Sequence, residues 1–185
     1  LMAININEAL KAKHTCIVAD TGGGKTAAAK LLSEIFGEHV ALFDIYNNYR
    51  YDGRKSKNNK FNGLGGRKVH TYYDRKSFVK NFIEAWQSGK RFVVAYSPTH
   101  DKPMTQDELL KCRRDELEWF GQLMWEAFDG NRELYVGVEE LAKLVQSIGK
   151  DSSIIGEIAT GARAFGGILV TLFQRKQEVP KTIWN

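Results

Sequence analysis

The stretch that decides the fold is HTCIVADTGGGKT, at residues 14–26. The apolar run at 14–19 predicts a buried β-strand, and three glycines then lead through Lys25 and Thr26 into a helical pattern that reaches about Phe36. Glycines between a strand and a helix let backbone N–H groups converge on one point, where they can bind phosphate oxygens. The stretch therefore predicts an α/β fold with a phosphate-binding loop before its first helix.

The spacing of this loop follows the pattern GxxxxGK plus Ser or Thr, except that Ala19 holds the first position. Alanine fits there without strain if its φ angle is negative. Lys25 is expected to reach the β- and γ-phosphates of ATP, and the Thr26 hydroxyl to bind Mg²⁺. ATP and Mg²⁺ are therefore the predicted cofactors. The residues predicted to bind the nucleotide are Asp20, Thr21, Gly22, Gly23, Gly24, Lys25, Thr26 and Ala27.

The rest of the chain alternates short apolar runs with longer segments of helical periodicity, which is the pattern of helices packed on a mostly parallel sheet. One helix is predicted at 74–87, and a longer one, up to residue 128, opens at Thr105, where Glu108 completes a capping box. Further strands are predicted at 39–45, 69–72, 91–96, 134–138 and 168–173. The predicted fold is a three-layer P-loop NTPase of the RecA/ASCE type, in a single domain across residues 1–185.

Polar residues follow two of the predicted strands. One strand ends in Glu139 and Glu140, whose side chains point in different directions and so can take two roles. Glu139 is expected to lie beside Thr26 and hold Mg²⁺ through water, and Glu140 to accept a proton from the attacking water. Taken alone, two such glutamates are more typical of a helix N-terminus, but the upstream loop favours the catalytic interpretation. Gln174 ends the last strand and either contacts the γ-phosphate or the water, or faces solvent.

Three blocks of sequence together resemble the FtsK–HerA superfamily and, within it, the genome-packaging ATPases of tailless, membrane-containing viruses. The blocks are ADTGGGKT at 19–26, LYVGVEEL at 134–141 and GARAFGGILVTLFQRKQEVPKTI at 161–183. The resemblance implies that Glu140 is the catalytic acid, Glu139 the metal-side acid and Gln174 the sensor glutamine.

The same resemblance implies a homo-oligomeric ring, usually a hexamer, in which one subunit supplies an arginine to its neighbour's nucleotide. Arg163 and Arg175 lie in the matching block and are the candidates, with Arg163 preferred as the catalytic residue. The resemblance also implies a location in the cytoplasm of an infected host cell or at the virion vertex. A capsid vertex or membrane protein is then the expected docking partner.

Positive charge is concentrated in one segment of a chain whose net charge is +5. Residues 50–68 contain seven Lys or Arg and one acidic residue, whereas the remainder has 20 basic and 21 acidic residues. We call residues 46–68 the basic loop; its aromatic residues are Tyr46, Tyr49, Tyr51 and Phe61. Phosphate contacts with occasional base stacking by Tyr49, Tyr51 and Phe61 would suit double-stranded DNA without sequence preference, although a solvated surface loop without a partner has the same composition. The basic residues predicted to contact DNA are Arg54, Lys55, Lys57 and Lys60.

The function predicted from these features is an Mg²⁺-dependent ATPase that moves double-stranded DNA into a viral capsid. One alternative is a small-molecule or nucleotide kinase, with Arg113 and Arg114 as a phosphate-clamping lid. The acidic pair argues against a kinase, because it suits water activation better than transfer to an acceptor. Another alternative is an ATP-dependent module for morphogenesis or secretion that moves no DNA. Cys16 and Cys112 are widely separated, as in a reduced intracellular protein, and no apolar run is long enough for a membrane span.

Overall fold

In the computed structural model, the six strands of the described residues form one parallel sheet, in the order β1-β6-β5-β2-β4-β3. The structure describes residues 6–7, 9–10, 13–20, 22–100, 102–139, 141–144 and 153–173. The strands are β1 (Thr15–Val18), β2 (His39–Phe43), β3 (His70–Tyr72), β4 (Phe92–Tyr96), β5 (Leu134–Val138) and β6 (Gly167–Phe173). The prediction of an α/β fold with a mostly parallel sheet is confirmed.

Helices connect the strands in the described part of the chain. They are α1 (Lys25–Leu31), α2 (Arg75–Ser88), α3 (Gln106–Ala127), α4 (Leu141–Leu144) and α5 (Ile154–Gly161). The first helix is shorter than predicted, because the chain tightens after Leu32 into a 3₁₀ turn at Ser33–Ile35. No helix within the described ranges combines the length and the apolar character that a membrane span requires.

The long helices begin where their capping residues predict. At the start of α3, the Glu108 N–H donates to the Thr105 hydroxyl at 3.3 Å, and the Glu108 carboxylate accepts from the Thr105 N–H at 2.8 Å. At the start of α2, the Asp74 carboxylate accepts from the Ser77 N–H at 2.8 Å. Both contacts satisfy N–H groups that the first turn of a helix leaves without partners.

Alternating side chains of the strands fill a core on each face of the sheet. On one face, α2, α3 and α5 pack through residues such as Phe78, Phe120 and Ile155. On the other face, α1 contributes Ala29. The remaining cover of that second face comes from the turn after α1 and from the basic loop. The predicted three-layer arrangement is therefore present. On the second face, an irregular segment covers part of the sheet in place of a helix.

The basic loop is consequently a packed part of the second core. Tyr49 is 2% exposed and Leu64 is fully buried. The prediction that Tyr49 stacks on nucleic acid bases is therefore wrong, because its ring is enclosed by the protein. Phe61, which is 55% exposed, remains accessible on the surface of the loop.

One of the basic residues in this loop has a structural role. The Arg67 guanidinium donates to three successive carbonyl groups that follow α1, those of Phe36 (3.3 Å), Gly37 (2.7 Å) and Glu38 (3.0 Å). Charged donors to buried or half-buried carbonyls form the stronger hydrogen bonds of proteins. Arg67 therefore fastens the end of the basic loop to the chain just before β2.

Replacing Arg67 should destabilise the fold. Arg67→Ala leaves three carbonyl groups without their donor, so we expect a loss of about 2 kcal/mol and a melting temperature lower by about 4–8 °C. Arg67→Lys should recover only part of this loss, because an ammonium cannot span three carbonyls. Thermal unfolding measures both, with Arg54→Ala as the control, since the Arg54 side chain is 96% exposed. Equal melting temperatures for the two alanine variants would contradict the assigned role of Arg67.

Candidate nucleotide and metal site

The carboxyl ends of all the described strands meet at one edge of the sheet. The loop after β1 begins there, since the Ala19 N–H donates to the carbonyl of Phe173 at the end of β6, at 3.2 Å. Glu139 follows β5 at the same edge, and its N–H donates to the carbonyl of Phe43 at the end of β2. Because β6 lies between β1 and β5, the loop and the acidic residue are separated by the width of one strand. This edge is where doubly wound sheets bind ligands.

The glycines of the loop are required by its backbone conformation. Gly22 and Gly24 have φ angles of 78° and 76°, in the left-handed region that side chains disfavour. A Cβ atom added to Gly23 would lie 2.8 Å from the carbonyl oxygen of Asp20. The loop therefore turns tightly enough to expose its backbone to a ligand.

Alanine at the first position of the loop is not strained. Among the described residues, Asn47 is the only non-glycine with a positive φ angle, so Ala19 has a negative one. The departure from the usual glycine therefore does not disturb the loop. Thr21, also predicted to bind the nucleotide, lies outside the described residues.

Lys25 and Thr26 open α1 and are both partly exposed. The Lys25 ammonium donates to the carbonyl oxygen of Ala19 at 3.3 Å, so its side chain curves back across the loop. This contact holds a positive charge beside the exposed backbone of Asp20, Gly22 and Gly23. The arrangement is suited to a polyphosphate, whose oxygens could accept hydrogen bonds from the backbone N–H groups and pair with the ammonium.

Thr26 and Glu139 lie in direct contact, as the sequence predicted. The Thr26 hydroxyl donates to Glu139 Oε1 at 2.8 Å, and Glu139 is 3% exposed. A hydroxyl and a carboxylate beside a phosphate loop supply the oxygen ligands that Mg²⁺ prefers, so the residues fit this ion. Helix α4 does begin at Leu141, which agrees with the alternative of a helix N-terminus. The Glu139 carboxylate nevertheless binds side chains of other elements, and Glu140 lies outside the described residues.

Polar residues that the sequence did not predict as part of the site surround Glu139 from the side of β2. The Asn48 side-chain amide donates to Glu139 Oε2 at 2.6 Å, and the Tyr49 hydroxyl lies close enough to this carboxylate to lower its pKa. Asp44 is fully buried and accepts from the N–H groups of Asn48 and Tyr49, each at 2.9 Å. The available signal was the position of Asp44, which directly follows a buried strand.

Lys30 connects the phosphate-loop helix to the basic loop. It lies about one turn beyond Thr26 on α1, and its ammonium donates to the carbonyls of Asn48 at 2.6 Å and Phe61 at 3.1 Å. The ammonium also lies 5.6 Å from the centre of the Tyr49 ring. Burial lowers the pKa of Lys30, while the charges of Asp44 and Glu139 act in the opposite direction.

Two buried carboxylates, those of Glu139 and Asp44, lie at the site. Burial raises the pKa of Glu139 and the neighbouring charge of Asp44 raises it further, although hydrogen bonds from Asn48, Thr26 and Tyr49 oppose the shift. Burial likewise raises the pKa of Asp44, against its backbone hydrogen bonds and the charge of Lys30. Because burial disfavours the ionised form of both carboxylates, a bound cation would stabilise that form.

The structure does not bring Arg163 to this edge. Arg163 is exposed in the 3₁₀ turn Ala162–Phe165, which precedes β6, at the opposite end of that strand from the phosphate loop. Seven strand residues separate the two ends, a distance of about 20 Å. Arg163 is thus absent from the site of its own subunit, and its action on a neighbour's nucleotide stays a prediction. Gln174 and Arg175 lie outside the described residues.

The four basic residues predicted to contact DNA are all exposed. They are Arg54, Lys55, Lys57 and Lys60. Lys55 lies near enough to Lys30 for its charge to lower the pKa of the Lys30 ammonium. The exposed charge of the basic loop is therefore close to the helix that carries Lys25 and Thr26.

No protein-family model and no curated protein matches this chain. The chain is similar to solved structures of the genome packaging NTPase B204 from Sulfolobus turreted icosahedral virus 2. The complex with AMP is 14% identical over 94% of this chain and 70% of that chain, with a TM-score of 0.44. The complex with AMPPCP is 13% identical over 94% and 71%, and that with ATP-gammaS 14% identical over 92% and 70%, each with a TM-score of 0.45. At these identities the likeness concerns the fold alone.

Proposed function

We propose that this chain is an Mg²⁺-dependent ATPase. The observation that carries the proposal is the hydrogen bond of 2.8 Å between the Thr26 hydroxyl and Glu139, directly beside the glycine loop and Lys25. Thr26 and Glu139 are 113 positions apart in the sequence, so their contact is a product of the fold. A phosphate-binding loop alone would suit many ligands. A phosphate-binding loop beside a buried carboxylate suits a complex of a metal ion with a nucleotide.

Each residue of the site then has a task in hydrolysis. The N–H groups of Gly22 and Gly24 orient the phosphates, and Lys25 offsets the charge that builds up on the transferred group. Thr26 and Glu139 are the residues that would hold Mg²⁺. When bound, Mg²⁺ neutralises charge shared by the β- and γ-phosphates. Glu140 as the proton acceptor and Gln174 as the sensor complete the proposal.

The alternative of a kinase finds less support. The Arg114 guanidinium donates to the carbonyl oxygen of Leu144 at 3.0 Å, and the Arg113 guanidinium lies 5.3 Å from the centre of the Tyr46 ring. Both arginines thus hold α3 against its neighbours, which is unlike the exposed arginines of a mobile phosphate-clamping lid. The separating experiment is to follow phosphate release from ATP: an ATPase releases phosphate without any added acceptor, and a kinase does not.

We further propose that the ATPase moves double-stranded DNA, as a homo-oligomeric ring in viral genome packaging with an arginine acting between subunits. Support comes from the three blocks that resemble packaging ATPases and from the exposed charge on the basic loop. Lys30 gives this charge a physical connection to α1, through its hydrogen bonds to the carbonyls of Asn48 and Phe61. A motor requires such a connection, because a change at the nucleotide site during turnover must alter the surface that binds DNA.

Removing the exposed lysines of the basic loop should uncouple DNA from ATP turnover. We expect duplex DNA to stimulate the wild-type ATPase, with an affinity that falls steeply as salt rises. In the variant with Lys55, Lys57 and Lys60 all changed to Ala, stimulation should be largely lost, and the slope of log affinity against log salt should fall by about 0.9 for each phosphate contact removed. ATPase activity without DNA should stay within about twofold, because these side chains are exposed.

The matched control changes three exposed lysines elsewhere, Lys76, Lys80 and Lys90, to Ala. This variant carries the same net charge as the loop variant, and its DNA stimulation should resemble that of the wild type. Unchanged stimulation in the loop variant would remove the basic loop from the mechanism. A wild-type ATPase that no duplex DNA stimulates at any salt concentration would favour a morphogenesis or secretion module that moves no DNA.

A further inference from the structure

We infer that Asn48 is a positioning residue for Glu139, the carboxylate proposed to hold Mg²⁺; this inference rests on the proposed function. The Asn48 side-chain amide donates to Glu139 Oε2 at 2.6 Å, while Thr26 occupies Oε1 at 2.8 Å. Each oxygen of the carboxylate therefore has its own donor. These two contacts fix the plane of the carboxylate group as well as its location.

The neutral amide of Asn48 suits this task better than a charged donor. Glu139 is 3% exposed, so water cannot supply the hydrogen bonds that a buried carboxylate needs. A lysine or arginine in this place would neutralise Glu139 and compete with a cation for it. The amide instead satisfies one oxygen and leaves the negative charge available to a metal.

The backbone of Asn48 is held firmly enough to aim its side chain. Its N–H donates to Asp44 at 2.9 Å, and its carbonyl oxygen accepts from Lys30 at 2.6 Å. The preceding residue, Asn47, has a φ angle of 53°, which turns the chain sharply after β2. Both backbone polar groups of Asn48 are thus engaged by buried or half-buried charges. A substitution of the side chain leaves these backbone contacts in place, so the amide can be tested by itself.

Partners that orient the ligands of a metal typically contribute 10- to 100-fold to metal affinity. We therefore expect Asn48→Ala to weaken Mg²⁺ binding by about 10- to 100-fold in the complex with a non-hydrolysable ATP analogue. The measurement is calorimetric titration of Mg²⁺ into protein saturated with the analogue. Affinity for the analogue without metal should stay within about twofold, because Asn48 acts through Glu139 and not on the phosphate loop. Asn58→Ala, an exposed asparagine of the same loop, is the matched control and should leave both affinities unchanged.

A second variant pair separates positioning from general support. In a Glu139→Gln background, Asn48→Ala should weaken Mg²⁺ binding no further, because the carboxylate that Asn48 orients has already been removed. Thermal unfolding checks that every variant is folded. If Asn48→Ala does not fold, Asn48→Leu fills nearly the same space without the donor and carries the same expectation.

Two results would overturn the inference while leaving the proposed function intact. One is wild-type Mg²⁺ affinity in the folded Asn48 variant. The other is an equal loss of analogue binding with and without metal, which would indicate a structural role only. A wild-type complex that binds no Mg²⁺ would instead overturn the proposed function, and this inference with it.

Discussion

Lys25→Ala is expected to lower the rate of ATP hydrolysis by roughly 10²- to 10³-fold or more, because it removes the one side-chain cation within the phosphate loop. Among the described residues, the Lys25 ammonium has one hydrogen bond, of 3.3 Å, to the carbonyl oxygen of Ala19. The substitution should therefore change the melting temperature little while removing the charge that a phosphate meets. Phosphate release under saturating ATP and Mg²⁺ is the measurement.

Lys90→Ala is the matched control for this experiment, since Lys90 is exposed in the turn before β4. Its turnover should equal that of the wild type. Full hydrolysis by the Lys25 variant would remove the basis of the proposed function, whatever its effect on DNA. A variant that loses turnover because it is unfolded would be recognised by its melting temperature.

Glu139→Gln is expected to have opposite effects on activity and on stability. Hydrolysis should fall by roughly 10²-fold, because the amide cannot offer a negative charge to the metal. The melting temperature of the nucleotide-free protein at neutral pH should rise by about 2–4 °C, which corresponds to about 1 kcal/mol in a chain of this size. Glutamine can keep a contact with Thr26, because the hydroxyl can accept as well as donate.

The sign of the stability change follows from the pKa of Glu139. Burial raises this pKa above its usual value, so the ionised carboxylate disfavours folding at neutral pH. The protonated form supports the fold below the ordinary glutamate pKa, and that support is lost as the pH rises through the raised pKa of the folded state. The stabilisation by Glu139→Gln should therefore shrink as the pH is lowered towards the ordinary pKa of glutamate.

Melting curves at several pH values test this expectation, with Glu126→Gln as the control because Glu126 is exposed. A lower melting temperature for Glu139→Gln at neutral pH would contradict it. That outcome would mean that the hydrogen bonds lost by the substitution contribute more to the free energy of unfolding than is gained by removing one buried charge.

The elements and the phosphate loop could be predicted because local patterns determine them. The apolar runs that form the sheet are short and bounded by polar residues, and α3 begins at the capping box of Thr105 and Glu108. Glycines followed by Lys25 and Thr26 have few other uses between a strand and a helix. The contact of Glu139 with Thr26 was also predictable, since the carboxyl ends of parallel strands share one edge of the sheet.

The packing of the basic loop and the role of Asn48 could not be predicted in this way. Tyr49 and Leu64 are 15 positions apart among charged and polar residues, so neither periodicity nor composition marks them as core residues. Asn48 contacts a partner 91 positions away, and nothing in the residues around it indicates this partner. Such pairings depend on the order of the strands, which places β2 beside β5.

Because Tyr49 and Leu64 of the basic loop are buried in the core, the ways in which this protein can be engineered are restricted. Exchanging residues 50–66 for a short flexible linker would strip the cover from an apolar surface above β2 and β4, and the shortened protein would tend to aggregate. A loss of DNA handling in such a deletion would say nothing about electrostatics. The charge of this region can therefore be changed only by substituting exposed side chains, with the backbone of the loop and its buried residues left in place.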